Sequence, residues 1–208
     1  MTDTIFLIGL TVLFIITFTM RNLVVRMRTG RTVRSLDRFV ALSVLSSTLC
    51  FIIAILSTNE PVYRSMGAIS SLRHPFASCI GLTLLGISII LVWVISAQMK
   101  DSWRVGVCKD QETELIQDGL YAYVRNPYFL AYYVLFFGLF LVRPSLVLLL
   151  LAGITVFSFH RMILHEEAHL LAAHGERYKE YTARTGRYLP RFKKQAPSEG
   201  HSQPRKTH

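Results

Sequence analysis

The sequence has little of what soluble cofactor-binding and metal-binding proteins use. Only three of its 208 residues are cysteines, and no pair of them has the spacing of a metal site or a disulfide framework. No two of its twelve glycines are closer in sequence than Gly81 and Gly86, which are five residues apart. This excludes both the dinucleotide-binding fingerprint and the phosphate-binding P-loop. A nucleoside cofactor would therefore have to bind in another way.

Long apolar runs dominate what the sequence does contain. Hydrophobic residues make up 51% of the chain and the mean hydropathy is +0.38, which predicts an all-α integral membrane protein. We predict about five transmembrane helices, at roughly residues 3–20, 39–58, 77–98, 128–142 and 144–160, of which the last two are short. The first run lacks a preceding basic residue and a following small-residue cleavage site, so it is interpreted as a retained helix.

The basic residues predict the orientation of the helices. The net charge is +10, and all but three of the 23 lysines and arginines lie in alternate segments between the apolar runs; the exceptions are Arg64, Arg73 and Arg143. The positive-inside rule therefore places the N-terminus outside and the C-terminus in the cytoplasm. The same charge predicts attraction to anionic lipids. Nucleic acid is not a predicted partner, because the basic residues are not interleaved with exposed aromatic residues on a soluble domain.

One polar segment stands directly before an apolar hairpin, and it runs Arg125-Asn126-Pro127-Tyr128-Phe129. The proline disfavours helical geometry at Asn126 and is suited to the first turn of the next helix. The free N–H groups of such a helix start, beside Arg125, suit the carboxylate of a methionine-type cofactor. The alternative is a structural one, in which these residues form an interfacial arginine and an aromatic belt.

A pair of glutamates follows about forty residues later, Glu166 and Glu167. From His160 to about Arg184 the apolar residues recur at three- and four-residue steps, which predicts a C-terminal helical cap at the cytoplasmic surface. Glu167 lies in line with the apolar stripe and Glu166 borders it. A carboxylate at a membrane-facing stripe is costly unless it is paired, so both are functional candidates. The alternative is that they only cap the helix or pair with Arg161 or Arg177.

The same helix offers a rival interpretation as a zinc protease. His165, Glu166 and His169 satisfy the H-E-x-x-H pattern with both histidines on one helical face. The third ligand is missing from the pattern, because His174 comes only five residues after His169. We therefore predict no metal.

Taken together, these motifs resemble the isoprenylcysteine carboxyl methyltransferase family of integral membrane proteins and its bacterial relatives. The resemblance covers roughly residues 80–191. It rests on these stretches and single residues: Ser102-Trp103-Arg104-Val105-Gly106, Glu114-Leu115-Ile116, Gly119-Leu120-Tyr121, Arg125-Asn126-Pro127, Glu166-Glu167, Leu170, Gly175, Tyr178, Tyr181 and Arg187-Tyr188-Leu189-Pro190.

The resemblance implies that S-adenosylmethionine is bound at the cytoplasmic membrane surface. The implied cofactor contacts are Thr113, Glu114, Leu115, Ile116, Tyr121, Asn126, Pro127, Tyr128, Phe129 and Glu166. The implied organisation has three parts. A two-helix membrane region with a basic loop spans residues 1–76, a methyltransferase-like core spans 77–194, and a disordered polar tail spans 195–208.

The sequence departs from the family pattern at four positions. The family usually has His where Asn126 stands and Tyr where Phe129 stands, and its eukaryotic members have arginines where Met162 and Val92 stand here. If those arginines hold the substrate carboxylate, the candidates to replace them are Arg161 and Arg104. Methyl transfer is therefore a firmer expectation than specificity for isoprenylcysteine.

The chemistry of methyl transfer leaves two residues as alternative catalytic candidates, Arg125 and Glu167. In methyl transfer from a sulfonium the donor carries the activation, so the protein mainly aligns the two reactants and excludes water. A carboxylate nucleophile would use Arg125, whereas an amine nucleophile would need Glu167 to take its proton. We predict a methyltransferase, most simply a carboxyl O-methyltransferase, acting on a membrane-embedded lipid or isoprenylcysteine-like carboxylate. An NADPH-dependent sterol-type reductase and a non-catalytic membrane scaffold are also compatible with the sequence.

Overall fold

The computed structural model describes residues 2–29, 38–99 and 115–191. They form six α-helices and no β-strand: α1 (Thr2–Thr29), α2 (Arg38–Leu56), α3 (Glu60–Ser65), α4 (Pro75–Met99), α5 (Pro127–Val142) and α6 (Leu146–Arg184). Short 3-10 turns at Ser70–Leu72 and Gly119–Ala122 precede α4 and α5. The predicted tail over residues 195–208 lies outside the described residues, as do Arg104, Thr113 and Glu114.

Four helices are long and apolar enough to cross a membrane: α1, α2, α4 and α6. α5 is apolar but has 16 residues, or about 24 Å at 1.5 Å per residue, somewhat less than the roughly 30 Å of a hydrocarbon core. The prediction of an all-α integral membrane protein is confirmed, and each predicted apolar run is a helix. The predicted fourth run is a short apolar helix, and that it spans the membrane stays a prediction.

The predicted fifth span and the first part of the C-terminal helical cap form one helix without a break, and the whole element of 39 residues is kinked at Gly175. Ser145 caps its start, since the Ser145 side chain accepts a hydrogen bond from the backbone N–H of Leu148 at 3.4 Å. The only interruption is Gly175, whose backbone has φ 50 and ψ −123. Neither proline nor glycine occurs between Gly153 and Gly175, so the helix continues although the side chains become polar.

Two helix pairs form the frame of the bundle. α4 and α5 approach closely at Gly81 and Gly138, where a Cβ on Gly81 would lie 2.7 Å from the carbonyl oxygen of Gly138. Ser88 of α4 also donates to the carbonyl oxygen of Ala131 at 2.8 Å. α2 packs on α6, and Thr155 donates to the buried Ser46 at 2.8 Å. α1 lies mainly against α4 and touches α2 and α5 less.

The two ends of the bundle are tied in different ways. At one end Tyr63 of α3 donates to the carbonyl oxygen of Pro144 at 2.9 Å, and the side chain of Arg143 reaches Thr4 of α1 at 3.2 Å. At the other end α1 and α4 finish, and α2 and α5 begin. We call this the basic end, because α1 carries Arg26 and Arg28 in its last turn there.

Candidate active site

The polar segment before α5 has the shape that its sequence predicts. Asn126 has an extended φ of −125, Pro127 is the first residue of α5, and the preceding Gly119 has a positive φ of 60. The side chain of Gln98 at the end of α4 packs against Gly119 and accepts a hydrogen bond from the backbone N–H of Leu120 at 3.2 Å. The prediction that a helix begins at Pro127 is confirmed.

A second segment, which we call the strap (residues 185–191), follows α6 and pairs with the segment before α5. The backbone N–H of Arg125 donates to the carbonyl oxygen of Gly186 at 2.8 Å, and that of Asn126 donates to the carbonyl oxygen of Arg187 at 3.2 Å. Gly186 has no room for a side chain, since its Cβ would lie 1.7 Å from the carbonyl oxygen of Leu189. The strap thus fixes the residues from which α5 starts.

Glu167 lies at the centre of this junction, and we call its contacts the Glu167 clamp. Its Oε1 accepts hydrogen bonds from Arg125 Nε at 3.1 Å and Asn126 Nδ2 at 3.2 Å. Its Oε2 accepts two from Arg187, from Nε at 3.0 Å and from Nη2 at 2.7 Å. The Glu167 side chain is only 13% exposed, so these are strong charge-assisted contacts. The hydrogen bonds to Glu167 also raise the pKa of Arg187 above its ordinary value.

Arg125 makes further contacts to the C-terminal end of α6. Its Nη1 donates to the carbonyl oxygens of Thr185 at 2.5 Å and Thr182 at 3.3 Å. Cations are favoured at the C-terminus of a helix, where carbonyl oxygens lack helical partners. Nη2 of Arg125 makes no hydrogen bond within the described residues, and the side chain lines a cavity. Nε and Nη1 of the guanidinium are thus engaged by the protein, whereas Nη2 is not engaged by any described residue.

That cavity has a volume of about 390 Å³ and two chemically different halves. The half at the basic end, which we call the polar half, is lined by Leu115, Ile116, Tyr121, Arg125, Asn126, Glu166, Glu167, Leu170, Tyr178 and Tyr181. The other, which we call the apolar half, is lined mainly by α1 and α2, through Phe14, Ile15, Phe18, Thr19, Ser43, Val44, Ser47, Thr48, Phe51, Ile52 and Ile55. Tyr128, Phe129, Tyr132 and Phe159 lie in its wall as well. The volume suits a small-molecule site.

Tyr121 connects the polar half to α6. Its carbonyl oxygen accepts a hydrogen bond from the hydroxyl of Tyr181 at 2.7 Å. Burial raises the pKa of the Tyr121 phenol strongly, and the charge of Glu166 raises it further. Tyr121 therefore stays protonated near neutral pH, and a carboxylate lies close to it on the cavity wall.

Most of the residues proposed from the sequence come together here. The cavity wall includes nine of them: Leu115, Ile116, Tyr121, Arg125, Asn126, Tyr128, Phe129, Glu166 and Glu167. Pro127 starts α5 and is buried, but it is not among the lining residues. Met162 and Val92, at the positions of the family's arginines, are buried in the hydrophobic core.

Arg161, proposed as a substitute substrate ligand, lies elsewhere. Its Cζ is 5.4 Å from the ring centroid of Phe39 on α2, and it does not line the cavity. His165, from the zinc pattern, also packs its ring against Phe39, at 5.7 Å between centroids. Within residues 2–29, 38–99 and 115–191 no three histidine, cysteine, aspartate or glutamate side chains are grouped so that they could hold a metal ion.

Reasoning from sequence missed Arg187 and several lining residues. Arg187 stands in a sequence motif to which no role is assigned, although it makes the shortest contact to Glu167. The lining residues of α1 and α2 were interpreted only as membrane span. A helix surrounded by lipid and its neighbours is apolar on every face, so its pattern does not reveal which face meets a cavity.

Comparison with known proteins points to the same family as the motifs. Residues 76–177 match the model of the phospholipid methyltransferase family. The chain is also 26% identical over 114 residues to a Protein-S-isoprenylcysteine O-methyltransferase of Schizosaccharomyces pombe, over 54% of this chain and 48% of the relative. The chain thus spans about half the length of this curated relative. The resemblance predicted from the motifs is confirmed.

Proposed function

We propose that the protein is an S-adenosylmethionine-dependent membrane methyltransferase whose acceptor is a lipid or an isoprenylcysteine-like carboxylate. The observation that carries the proposal is the cavity, in which a charged half joins an apolar half. A polar donor and a membrane-embedded acceptor could meet in such a cavity without either leaving its preferred surroundings. The match of residues 76–177 to the phospholipid methyltransferase family model supports methyl transfer as the reaction.

The polar half fits the chemistry of the donor. S-adenosylmethionine presents an aromatic base, ribose hydroxyls, an ammonium group and a carboxylate. Tyr121, Tyr178 and Tyr181 offer ring surfaces, and Glu166 offers an acceptor for hydroxyl or ammonium groups. The Nη2 group of Arg125 offers N–H donors for a carboxylate. Asn126, Tyr128 and Phe129 complete the wall beside them, and Leu115 and Ile116 close it from the segment before Gly119.

The apolar half fits a lipid chain. Ile15 of α1 and Ile52 of α2 both line the cavity and are 41% and 45% exposed, so the cavity reaches the surface between these helices. Both residues lie well inside apolar spans, where that surface faces lipid. An acyl or prenyl chain could therefore enter from the bilayer, with its reactive head toward the polar half.

The Glu167 clamp suggests a role for Glu167 other than that of a general base. When bound, the donor supplies an activated methyl group, so the chain has to align the acceptor and exclude water. A carboxylate that accepts four hydrogen bonds from two arginines and an amide strongly favours its charged form and is a poor proton acceptor. We assign Glu167 to positioning Arg125, and Arg125 to orienting an anionic group through Nη2. This arrangement favours a carboxylate acceptor over an amine.

The orientation completes the proposal. With the basic end in the cytoplasm, the polar half of the cavity opens toward the compartment in which a soluble donor is made. Reporter fusions after Thr2 and after Arg191 test this orientation, because each reporter is active on only one side of the membrane. A C-terminal reporter active only outside the cytoplasm would contradict it.

Binding measurements on the purified protein in detergent test the activity. Titration calorimetry with S-adenosylhomocysteine, S-adenosylmethionine and NADPH should show binding of the first two and none of the third. Incubation with labelled donor and membrane lipid extracts should then transfer label into a lipid fraction. Binding of NADPH alone would favour the reductase, and binding of none of the three would favour the scaffold.

A further inference from the structure

Two arginines lie over the same aromatic ring at the basic end of the bundle. Arg38 is the first residue of α2 and Arg161 lies on α6. Their Cζ atoms are 5.0 Å and 5.4 Å from the ring centroid of Phe39. Cation–π contacts of this kind hold both guanidinium groups beside the same ring. Neither arginine lines the cavity.

Both guanidinium groups lack an acidic partner among the residues that the structure describes. The neighbouring acids on α6 are used elsewhere, since Glu167 belongs to the clamp and Glu166 lies in the cavity wall. Arg161 is only partly exposed, which makes an uncompensated charge more costly there than in open water. The pair therefore forms a local excess of positive charge that an anion would neutralise.

The pair also lies at the boundary of the hydrocarbon core. No charged residue follows Arg38 in α2, and Arg161 is the first charged residue in α6. The apolar parts of both helices thus end at these two side chains. Arginine and aromatic side chains are favoured at this depth, where lipid phosphates lie.

We propose that Arg38 and Arg161 bind the phosphate of an anionic phospholipid, whose acyl chains lie along the apolar surfaces of α2 and α6. Arginine suits this ligand because its planar fork donates two parallel hydrogen bonds to phosphate oxygens. Such a lipid would bridge the pair of helices that carries one wall of the cavity. The inference does not depend on the methyltransferase activity.

Native mass spectrometry of the delipidated protein in neutral detergent tests the site. Phosphatidylglycerol should bind at one site more tightly than phosphatidylcholine. Arg38→Gln and Arg161→Gln should each weaken phosphatidylglycerol binding about fivefold. Arg177→Gln is the matched control, since it removes the same charge from an exposed position on the same helix and should leave this site unchanged.

Three results would overturn the proposal. An equal loss of phosphatidylglycerol affinity in all three variants would mean that the lipid responds to the general surface potential. Equal affinity for phosphatidylglycerol and phosphatidylcholine would mean that the headgroup is not recognised. Displacement of the lipid by inorganic phosphate at the same concentration would mean a free anion site instead of a lipid site. Arg38 is exposed, so Arg38→Gln should fold normally. The test therefore stays valid even if Arg161→Gln fails to fold.

Discussion

The two halves of the cavity are built by different kinds of contact. The polar half is fixed by ion pairs and backbone hydrogen bonds among α5, α6 and the strap. The apolar half is formed by side chains of α1 and α2, two helices with few contacts to each other. Much of the polar half lies within the family region of residues 76–177, whereas α1 and α2 lie outside it. The comparison indicates a rigid polar half beside an adaptable apolar half.

Loss of the Glu167 carboxylate should have the largest effect. Glu167→Gln leaves Arg125 and Arg187 without their shared counterion, and we expect destabilisation of about 3 kcal/mol with loss of S-adenosylhomocysteine binding. This destabilisation is at the low end of the range for breaking a buried ion pair, because the Arg187 side chain is 37% exposed. Thermal unfolding in detergent measures it. Glu176→Gln is the control, since Glu176 is 79% exposed and pairs with Lys179 on the surface. Equal stability of the two variants would refute a rigid polar half.

A side chain at Gly186 should disturb the strap by a smaller amount. The new methyl of Gly186→Ala would overlap the carbonyl oxygen of Leu189, so the strap must shift at a cost of about 2 kcal/mol. Donor binding should weaken in parallel, because Arg187 moves with the strap. Gly153→Ala is the control on α6, where nothing lies within 4 Å of the added methyl and better helix propensity should slightly stabilise the fold. Unchanged donor affinity in Gly186→Ala would show that the strap does not contribute to donor binding.

Glu166 should affect the ligand more than the fold. A carboxylate that accepts a hydrogen bond from the donor contributes roughly tenfold or more in affinity, so Glu166→Gln should weaken S-adenosylhomocysteine binding by that factor. Calorimetry measures the affinity, and the unfolding temperature should change much less than in Glu167→Gln. If the variant binds S-adenosylhomocysteine normally and is as stable as the native protein, Glu166 only caps the helix and does not contact the ligand.

Changes in the apolar half should have the smallest effect on stability. Ile52→Ala truncates a 45% exposed lining residue, so we expect stability to change by about 0.5 kcal/mol and donor affinity to stay the same. The KM for a lipid acceptor should rise severalfold. Leu45→Ala is the control on α2, because Leu45 is 59% exposed and does not line the cavity. Equal kinetics of the two variants would exclude α2 from acceptor binding.

Local chemistry explains which predictions from the sequence succeeded. Pro127 marks the start of α5 because its ring restricts Asn126 and needs no N–H partner in the first helical turn. Glu166 and Glu167 stood out because carboxylates are rare beside an apolar stripe. Neither signal predicts a partner. The roles of Glu167 as a proton acceptor and of Arg161 as a substrate ligand therefore stay predictions, and the structure places Arg161 beside Phe39.

The amino-acid sequence by itself determined the membrane class, the apolar helices and most of the residues that line the polar half, because hydropathy and helix-start chemistry are local properties. Only the tertiary structure decided that Arg187 closes the Glu167 clamp from 20 residues away, and that α1 and α2 supply the apolar half. Which cation a carboxylate meets, and which face of an apolar helix meets a cavity, depend on how distant segments pack. In lipid that choice comes from close packing and hydrogen bonding between helices, which leave little trace in the periodicity of one chain segment.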